Sequence, residues 1–408
     1  MKPCVLQMVG SFNQGGSERQ AVQVTRLLSE AGRYDVRLAC LDAEGPLLPE
    51  ARALVGEVPG FPLTSFYDLN MAAQLRRFAR YLRENRVRLV QTYDFYTNVF
   101  GMLGAALARV PARVAAKRET DGMRTAAQKF VERRAFQLAH VVAANSDAVG
   151  RQLVRDGVPA RKVVTIYNGV DIDRVRPPRG FEREGREGRE EVLASLGLPR
   201  DGGRRFVTVV ANMRHPVKDQ ATFLRAARRV RERVPEAAFV LAGEGALVGH
   251  YRALAAELGL EGHAFFTGRC ARVAELLSVS DVCVLSSRGV EGFSNSITEY
   301  MAAARPVVAT DVGGAAEAVA EGETGYVVPP GDDAAMAARI AELLTDPVRA
   351  REMGERGLRR VREEFSCEAQ LARVEALYAR LLGGPGAPGG EPSRRRHAEA
   401  ARGAGDSL

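Results

Sequence analysis

The sequence predicts an α/β protein made of two doubly wound domains, each built on a parallel sheet. Short β-branched runs alternate with longer helical patterns, the mark of βαβ units. The alternation stops once, in a Pro/Gly-rich charged stretch, and then restarts. The length of 408 residues suits two such domains and a tail.

In the first half, Cys4–Val9, Val36–Leu41, Val87–Thr92, Arg113–Lys117, Val141–Asn145 and Val163–Tyr167 read as strands. Helical patterns lie between them, Ser17–Gly32 and Met71–Asn85 among them. Ser17 is a candidate N-cap, with Gln20 three residues on completing a capping box. The break falls at Arg174–Glu190, without apolar period, and reads as a linker. The second set of strands is Phe206–Ala211, Phe239–Ala242, Ala264–Thr267, Val282–Ser286, Pro306–Thr310 and Tyr326–Val328. Helices at Ala334–Leu344, Pro347–Glu364 and Cys367–Leu382 close the fold. The expected division is 1–175, a linker at 176–190, a second domain at 191–365, a helix at 366–382 and a tail at 383–408. The Gly/Pro/Ala/Arg-rich tail is expected to be disordered.

Hydrophobic residues at 46% and charged residues at 26% exclude wholesale disorder. Two cores of this size need no staples. The five cysteines (Cys4, Cys40, Cys270, Cys283, Cys367) are scattered and form no CxxC pair, so neither a disulfide framework nor a zinc ribbon is indicated. The longest uncharged apolar run, Val99 to Ala108, is short of the roughly eighteen residues of a membrane span. The opening MKPCVLQMVGSF reads as a first strand and not as a signal peptide, so a cytoplasmic protein is expected.

The net charge of +8 is uneven. Residues 1–175 hold 25 Lys/Arg and 17 Asp/Glu, whereas 176–408 hold 33 of each. An anionic partner of the first half is expected: a phosphorylated acceptor, an acidic glycan or an anionic membrane surface. No zinc finger, RNP-like aromatic motif or basic zipper supports nucleic acid.

Ligands of doubly wound domains bind beyond the carboxyl ends of the strands. Three segments in such positions carry chemistry. Gly10 to Glu18, with the pair Gly15-Gly16, follows the first strand and opens a helix, where backbone N–H groups can meet a phosphate. A tight turn is the plainer alternative. The GxG at Gly243–Gly245, followed by Gly249, is a weaker sign of the same kind and reads as a decoy. The loop Val210–Asp219 carries Arg214 and Lys218, with Pro216 opposing a regular helix. Two cations there suit a diphosphate, and a solvated loop explains them equally well. Ser286 to Met301 places Glu291 on a loop and Glu299 about a turn into a helix whose N-terminus, Phe293–Ser296, can cradle a phosphate. Carboxylates accept well from paired sugar hydroxyls.

Taken in order, Gly15–Glu18 (GGSE), Asn145–Ser146, Asn168–Asp171 (NGVD), Arg214 and Lys218, Glu291 and Glu299, Gly313–Gly314 and Gly325–Asp332 resemble the GT-B-fold retaining glycosyltransferases of group 1, the GT4 type. The likeness runs from Val5 to about Leu382. It implies two Rossmann-like domains facing a central cleft, the second binding a nucleoside-diphosphate sugar and the first an acceptor. By that resemblance Arg214 and Lys218 hold the diphosphate, and Gly15 and Gly16 face it and the acceptor side. Glu291 and the N–H groups of Phe293 and Ser294 contact the sugar, Asn295 the phosphate and Glu299 the ribose. Gly268 and Arg269, in the loop to Cys270, lie near the base. No metal or other cofactor is implied, because Arg and Lys take its place. Relatives often carry a histidine after the strand at Leu89–Thr92; here Tyr93 and Asp94 stand there. The diphosphate oxygen itself can take the acceptor proton in front-face substitution. Arg118 and Glu119 are further cleft candidates.

The expected function is thus transfer of a sugar to an unidentified, anionic or lipid-linked acceptor in polysaccharide or glycolipid biosynthesis. A hydrolysing nucleotide-sugar 2-epimerase and a non-catalytic anionic-surface binder are the alternatives. In Leu69–Arg88, Met71, Leu75, Phe78 and Leu82 share one helical face and Arg76, Arg80 and Arg83 another. A solvated face explains the arginines; transient docking on an anionic inner membrane face is the sharper reading.

Overall fold

The computed structural model describes residues 2–66, 68–120, 122, 124–176, 185–200 and 202–383. The tail beyond Gly383 and most of the expected linker, 177–184, lie outside the described residues.

The first unit runs β1 (Cys4–Val9), α1 (Gly16–Ala31), β2 (Asp35–Cys40), α2 (Leu48–Val55), α3 (Leu69–Glu84), β3 (Val87–Thr92), α4 (Phe95–Leu107), β4 (Ala112–Lys117), α5 (Ala126–Leu138), β5 (Val141–Ala144), α6 (Asp147–Arg155) and β6 (Val163–Thr165). After α7 (Ile172–Val175) and α8 (Gly185–Ser195) comes the second unit: β7 (Arg205–Val210), α9 (Gln220–Arg233), β8 (Ala237–Ala242), α10 (Val248–Glu257), β9 (Ala264–Gly268), α11 (Val273–Val279), β10 (Val282–Leu285), α12 (Asn295–Ala302), β11 (Val307–Thr310), α13 (Ala315–Ala318) and β12 (Gly325–Val328). Helices α14 (Asp333–Thr345), α15 (Pro347–Arg360) and α16 (Cys367–Leu382) finish the chain, with a π turn at Val361–Phe365.

Every strand pair is parallel. The sheet orders are β2-β1-β3-β4-β5-β6 and β12-β11-β10-β7-β8-β9. Central strands are covered on both faces, which is why β1 reads CVLQMV, buried throughout, and not as an alternating strand. On one face of the first sheet, Met71, Phe78, Phe100, Phe136 and Leu153 of α3–α6 pack on Met8, Val90 and Val142. On the other, Val24 and Leu28 of α1 meet Val374 and Leu377 of α16 over Val5, Leu89 and Val114. The last helix therefore leaves the second unit and seats on the first.

Strand order reverses between β1 and β3 in one sheet and between β7 and β10 in the other. Such reversals splay the following loops apart and open a crevice. The Gly10–Gly15, Arg214/Lys218 and Glu291 loops all leave the strands at these reversals.

Two local expectations are corrected. Helix α1 starts at Gly16 with extended Gly15 as its N-cap and no side-chain cap, so Ser17 lies inside the helix and the capping box is not formed. Part of the expected linker is helix α8. Its anchor Leu193 packs with Leu198 on Phe206 and Val240, beyond the charged run that hid the apolar pattern. Of the stripe on α3, Met71, Phe78 and Leu82 are core. No helix among the described residues is long and apolar enough to cross a membrane.

Candidate active site

The loops after β7 and β10 meet at an ion pair, Lys218 with Glu291, each mostly buried. Lys218 ends a 3-10 turn at Pro216–Lys218. The Ser286 hydroxyl donates to the Lys218 carbonyl at 2.8 Å, and that of Ser287 to Glu291 Oε1 at 2.7 Å. The first unit reaches over to the same loop: the N–H and hydroxyl of Thr120 both donate to the Glu291 carbonyl at 3.0 Å. The residues flanking the pair are strained. Asp219 has φ of +45° and Val290, β-branched, has +56°. Non-glycine residues rarely adopt this region, and where they do the cost of about 1–3 kcal/mol collects at functional sites.

Two helix N-termini face each other beside the pair. Helix α12 has Ser294 as N-cap and, like α1, no side-chain cap. The leading N–H groups of both therefore remain available to an anion. A Cβ built on Gly16 would lie 3.6 Å from the Asn295 amide nitrogen, so the glycine pair brings α1 up to α12. Asn168 joins the two units here. Its amide donates to Asn295 Oδ1 at 2.7 Å and to the Phe293 carbonyl at 3.0 Å, while its oxygen accepts from Arg118 at 2.5 Å. The Phe293 ring is buried between Tyr167 and Phe365.

Alongside lies a cavity of about 540 Å³ with walls from both units, including Gln14, Arg19, Gly169, Arg174, Arg269 and Glu299. Glu299 pairs with Arg19 across it at 3.8 Å. Burial raises the Glu299 pKa, opposed by Arg19 and Arg174. Arg269 donates to Gln14 Oε1 at 2.5 Å, just past Gly268 at φ +67°.

Residues 14–174 match Glycosyltransferase Family 4, and residues 204–346 match the family described as Glycosyl transferases group 1. The lipopolysaccharide core biosynthesis mannosyltransferase LpcC of Rhizobium leguminosarum bv. viciae is 31% identical over 357 residues, 86% of this chain and 90% of LpcC. This chain belongs to the group 1 glycosyltransferases. EpsD of Bacillus subtilis is 32% identical over 230 residues, so the glycosyltransferase matches only 57% of that relative's length. In fold, the glycosyltransferase is similar to Anabaena Alr3699/HepE in complex with UDP, with a TM-score of 0.80 at 20% identity, covering 93% of this chain and 100% of that one. The two parallel-sheet units are those of a GT-B glycosyltransferase.

Several expected site residues of the glycosyltransferase stand elsewhere. Arg214 is exposed and reaches Glu244 at 3.4 Å, apart from the Lys218–Glu291 pair. Tyr93 does not line the cleft. Its hydroxyl donates to Gln7 at 2.7 Å and accepts from Gln91 at 3.0 Å inside the first core, and burial pushes its pKa up. Asp94 caps α4 through the Thr97 N–H at 2.9 Å and accepts from the Gly10 N–H at 3.1 Å; burial raises its pKa. Glu119 is held by Arg124 at 2.6 Å, which also pairs with buried Glu132, itself 2.9 Å from Lys117. The Gly243–Gly245 turn is a close approach: a Cβ on either would strike the Ala211–Met213 backbone.

Sequence reasoning passed over four features. Asn168 was seen as part of NGVD but given no role. Glu18 folds against Gly15, where a Cβ would lie 2.2 Å from its carboxylate, and burial raises its pKa, with Asp94 adding to this and Arg118 opposing it. Glu317 accepts from the N–H groups of Asp147 and Ala148 at 2.7 and 2.6 Å, capping α6 from the other unit. The triplet Asp171-Ile172-Asp173 has D-x-D spacing, but Asp171 caps α7 and pairs with Arg26 at 3.3 Å. Among the described residues no three His, Cys, Asp or Glu side chains gather as a metal site.

Proposed function

We propose that this glycosyltransferase moves a sugar from a nucleoside-diphosphate sugar to its acceptor with retained anomeric configuration and without a metal. The observation that carries this is the Lys218–Glu291 pair between two uncapped helix N-termini at the strand reversals. The diphosphate lies between α1 and α12, Lys218 faces the oxygen on which charge grows, and Glu291 and the Phe293–Asn295 backbone face the sugar. Glu299 accepts from the ribose hydroxyls, displacing Arg19, and Arg269 flanks the base. Arg214 swings from exposed Glu244 onto the diphosphate. As the glycosidic bond breaks, a fixed cation gains more in the transition state than in the ground state. The acceptor approaches from the first unit and loses its proton to the departing diphosphate oxygen.

The acceptor is an anionic or lipid-linked glycan in polysaccharide or glycolipid assembly on the cytoplasmic side. Support comes from the basic first half and from Arg118. This guanidinium is buried enough to lower its pKa to about 10, and it pairs with no carboxylate of the described residues. The test is turnover of a panel of nucleotide sugars with an anionic lipid-linked acceptor, and the product's anomeric coupling by NMR. Retained configuration is expected; inversion contradicts the mechanism.

A further inference from the structure

Among the described residues seven large apolar side chains are exposed, and six of them lie on the outer layer α3–α6: Leu69, Tyr96, Leu103, Leu107, Phe130 and Val154. Leu69 is 89% exposed, Leu107 55% and Phe130 56%. Tyr96, Leu103 and Leu107 are spaced by seven and four residues, so they form one outward stripe along α4. Helices α3 and α5 flank α4 on the same sheet face. The same two helices expose Arg76, Arg77, Arg80, Arg83, Arg133 and Arg134. Carboxylates are nearly absent: α4 has none, Glu132 of α5 is buried and paired, and α3 exposes only Glu84, besides its N-cap Asp68. This is more than the arginine row of α3, because the apolar groups come from helices whose outer faces the sequence did not single out.

A surface that is both apolar and basic over three neighbouring helices suits an anionic lipid bilayer: apolar groups enter the acyl boundary while arginines meet headgroups. Two copies of this face would bring like charges together, which disfavours self-association through it. Helix α4 starts at the carboxyl end of β3, so Tyr96 stands on the cleft side of this layer.

We propose that the outer face of α3–α5 docks the enzyme on an anionic membrane, with Leu107, Phe130 and Leu69 inserted and the arginines on the headgroups. This rests on the lipid-linked acceptor reading only for its purpose, because the docking needs neither donor nor acceptor.

The test is sedimentation of the full chain with phosphatidylcholine vesicles, with and without about one third phosphatidylglycerol, at low and high salt. The expected result is partitioning at least about tenfold stronger on anionic vesicles and lost at high salt, each arginine near the surface contributing about fivefold. Leu107→Ser with Phe130→Ser is expected to weaken it about tenfold, Arg76→Glu with Arg80→Glu more, and Val348→Ser, an exposed apolar residue on α15, not at all. Nucleotide binding by calorimetry, unchanged in these variants, reports an intact fold and separates this outcome from failure of the donor-site reading. Equal partitioning on neutral and anionic vesicles overturns the proposal. So does full binding by the Leu107/Phe130 variant, or a dimer in light scattering that these substitutions dissolve while vesicles go unbound.

Discussion

At the scale of single residues, chemistry concentrates where backbone and charge are both unfavourable alone. Lys218 is followed by Asp219 at φ +45° and Glu291 is preceded by Val290 at +56°. Lys218→Ala is expected to lower kcat about 10²–10³-fold, the loss typical of a donor aimed at developing negative charge; steady-state assay with the true substrates checks it. Glu18 gives a pH prediction. Burial holds its pKa above the ordinary value in the folded chain, so the folded state takes up a proton that the unfolded state releases earlier. Its contribution is full below the ordinary carboxylate range and is lost as pH rises through the raised value. Glu18→Gln is therefore expected to raise Tm at neutral pH, and the gain to vanish at low pH; calorimetry at two pH values reads this, and a lower Tm at neutral pH contradicts it. Lys218, Glu291 and Glu299 were legible because each follows a strand by a few residues and their types suit a phosphate or sugar. Tyr93 was equally close to a strand end, but sequence does not tell which way a side chain turns when Gln7 and Gln91 await it in the core.

Among elements, α16 is held by a closed ring of buried hydrogen bonds. Tyr93 donates to Gln7, Gln7 to Tyr378, Tyr378 to Gln91 and Gln91 back to Tyr93. Every polar group in the ring has a partner, so opening it at one point leaves two unsatisfied. Tyr93→Phe is expected to destabilise by about 1–3 kcal/mol, measured by denaturant unfolding, while turnover per folded molecule stays near normal. A collapse of kcat with unchanged stability would return Tyr93 to the catalytic groups. Strands were legible almost throughout, because those covered on both faces read as continuous apolar runs. Helix α8 was not, since its first turns are charged and its anchor Leu193 comes late. The cap of α1 was misread because glycine leaves no side-chain signal, and it is the missing cap that keeps the N-terminus available.

The whole molecule works through the seam between its units. A Cβ on Gly292 would lie 2.1 Å from the Arg118 carbonyl, and one on Gly314 2.7 Å from the Ser146 side chain. The Asn-Ser and Gly-Gly motifs therefore meet each other, and Glu317 caps α6 beside them. Gly292→Ala is expected to push the units apart and lower kcat about 10²-fold, since small misplacement has that effect in assembled sites. The order of motifs made the fold legible, but a contact between motifs some 150 residues apart is tertiary and has no trace in local pattern. The central claim is that these units together form a diphosphate site centred on Lys218. Calorimetric titration of UDP, GDP and ADP, each against its monophosphate, into the wild type and Lys218→Ala tests it most directly. One diphosphate is predicted to bind more tightly than its monophosphate and to weaken at least about tenfold in the variant. Absence of binding by all three, or binding indifferent to Lys218, would contradict it.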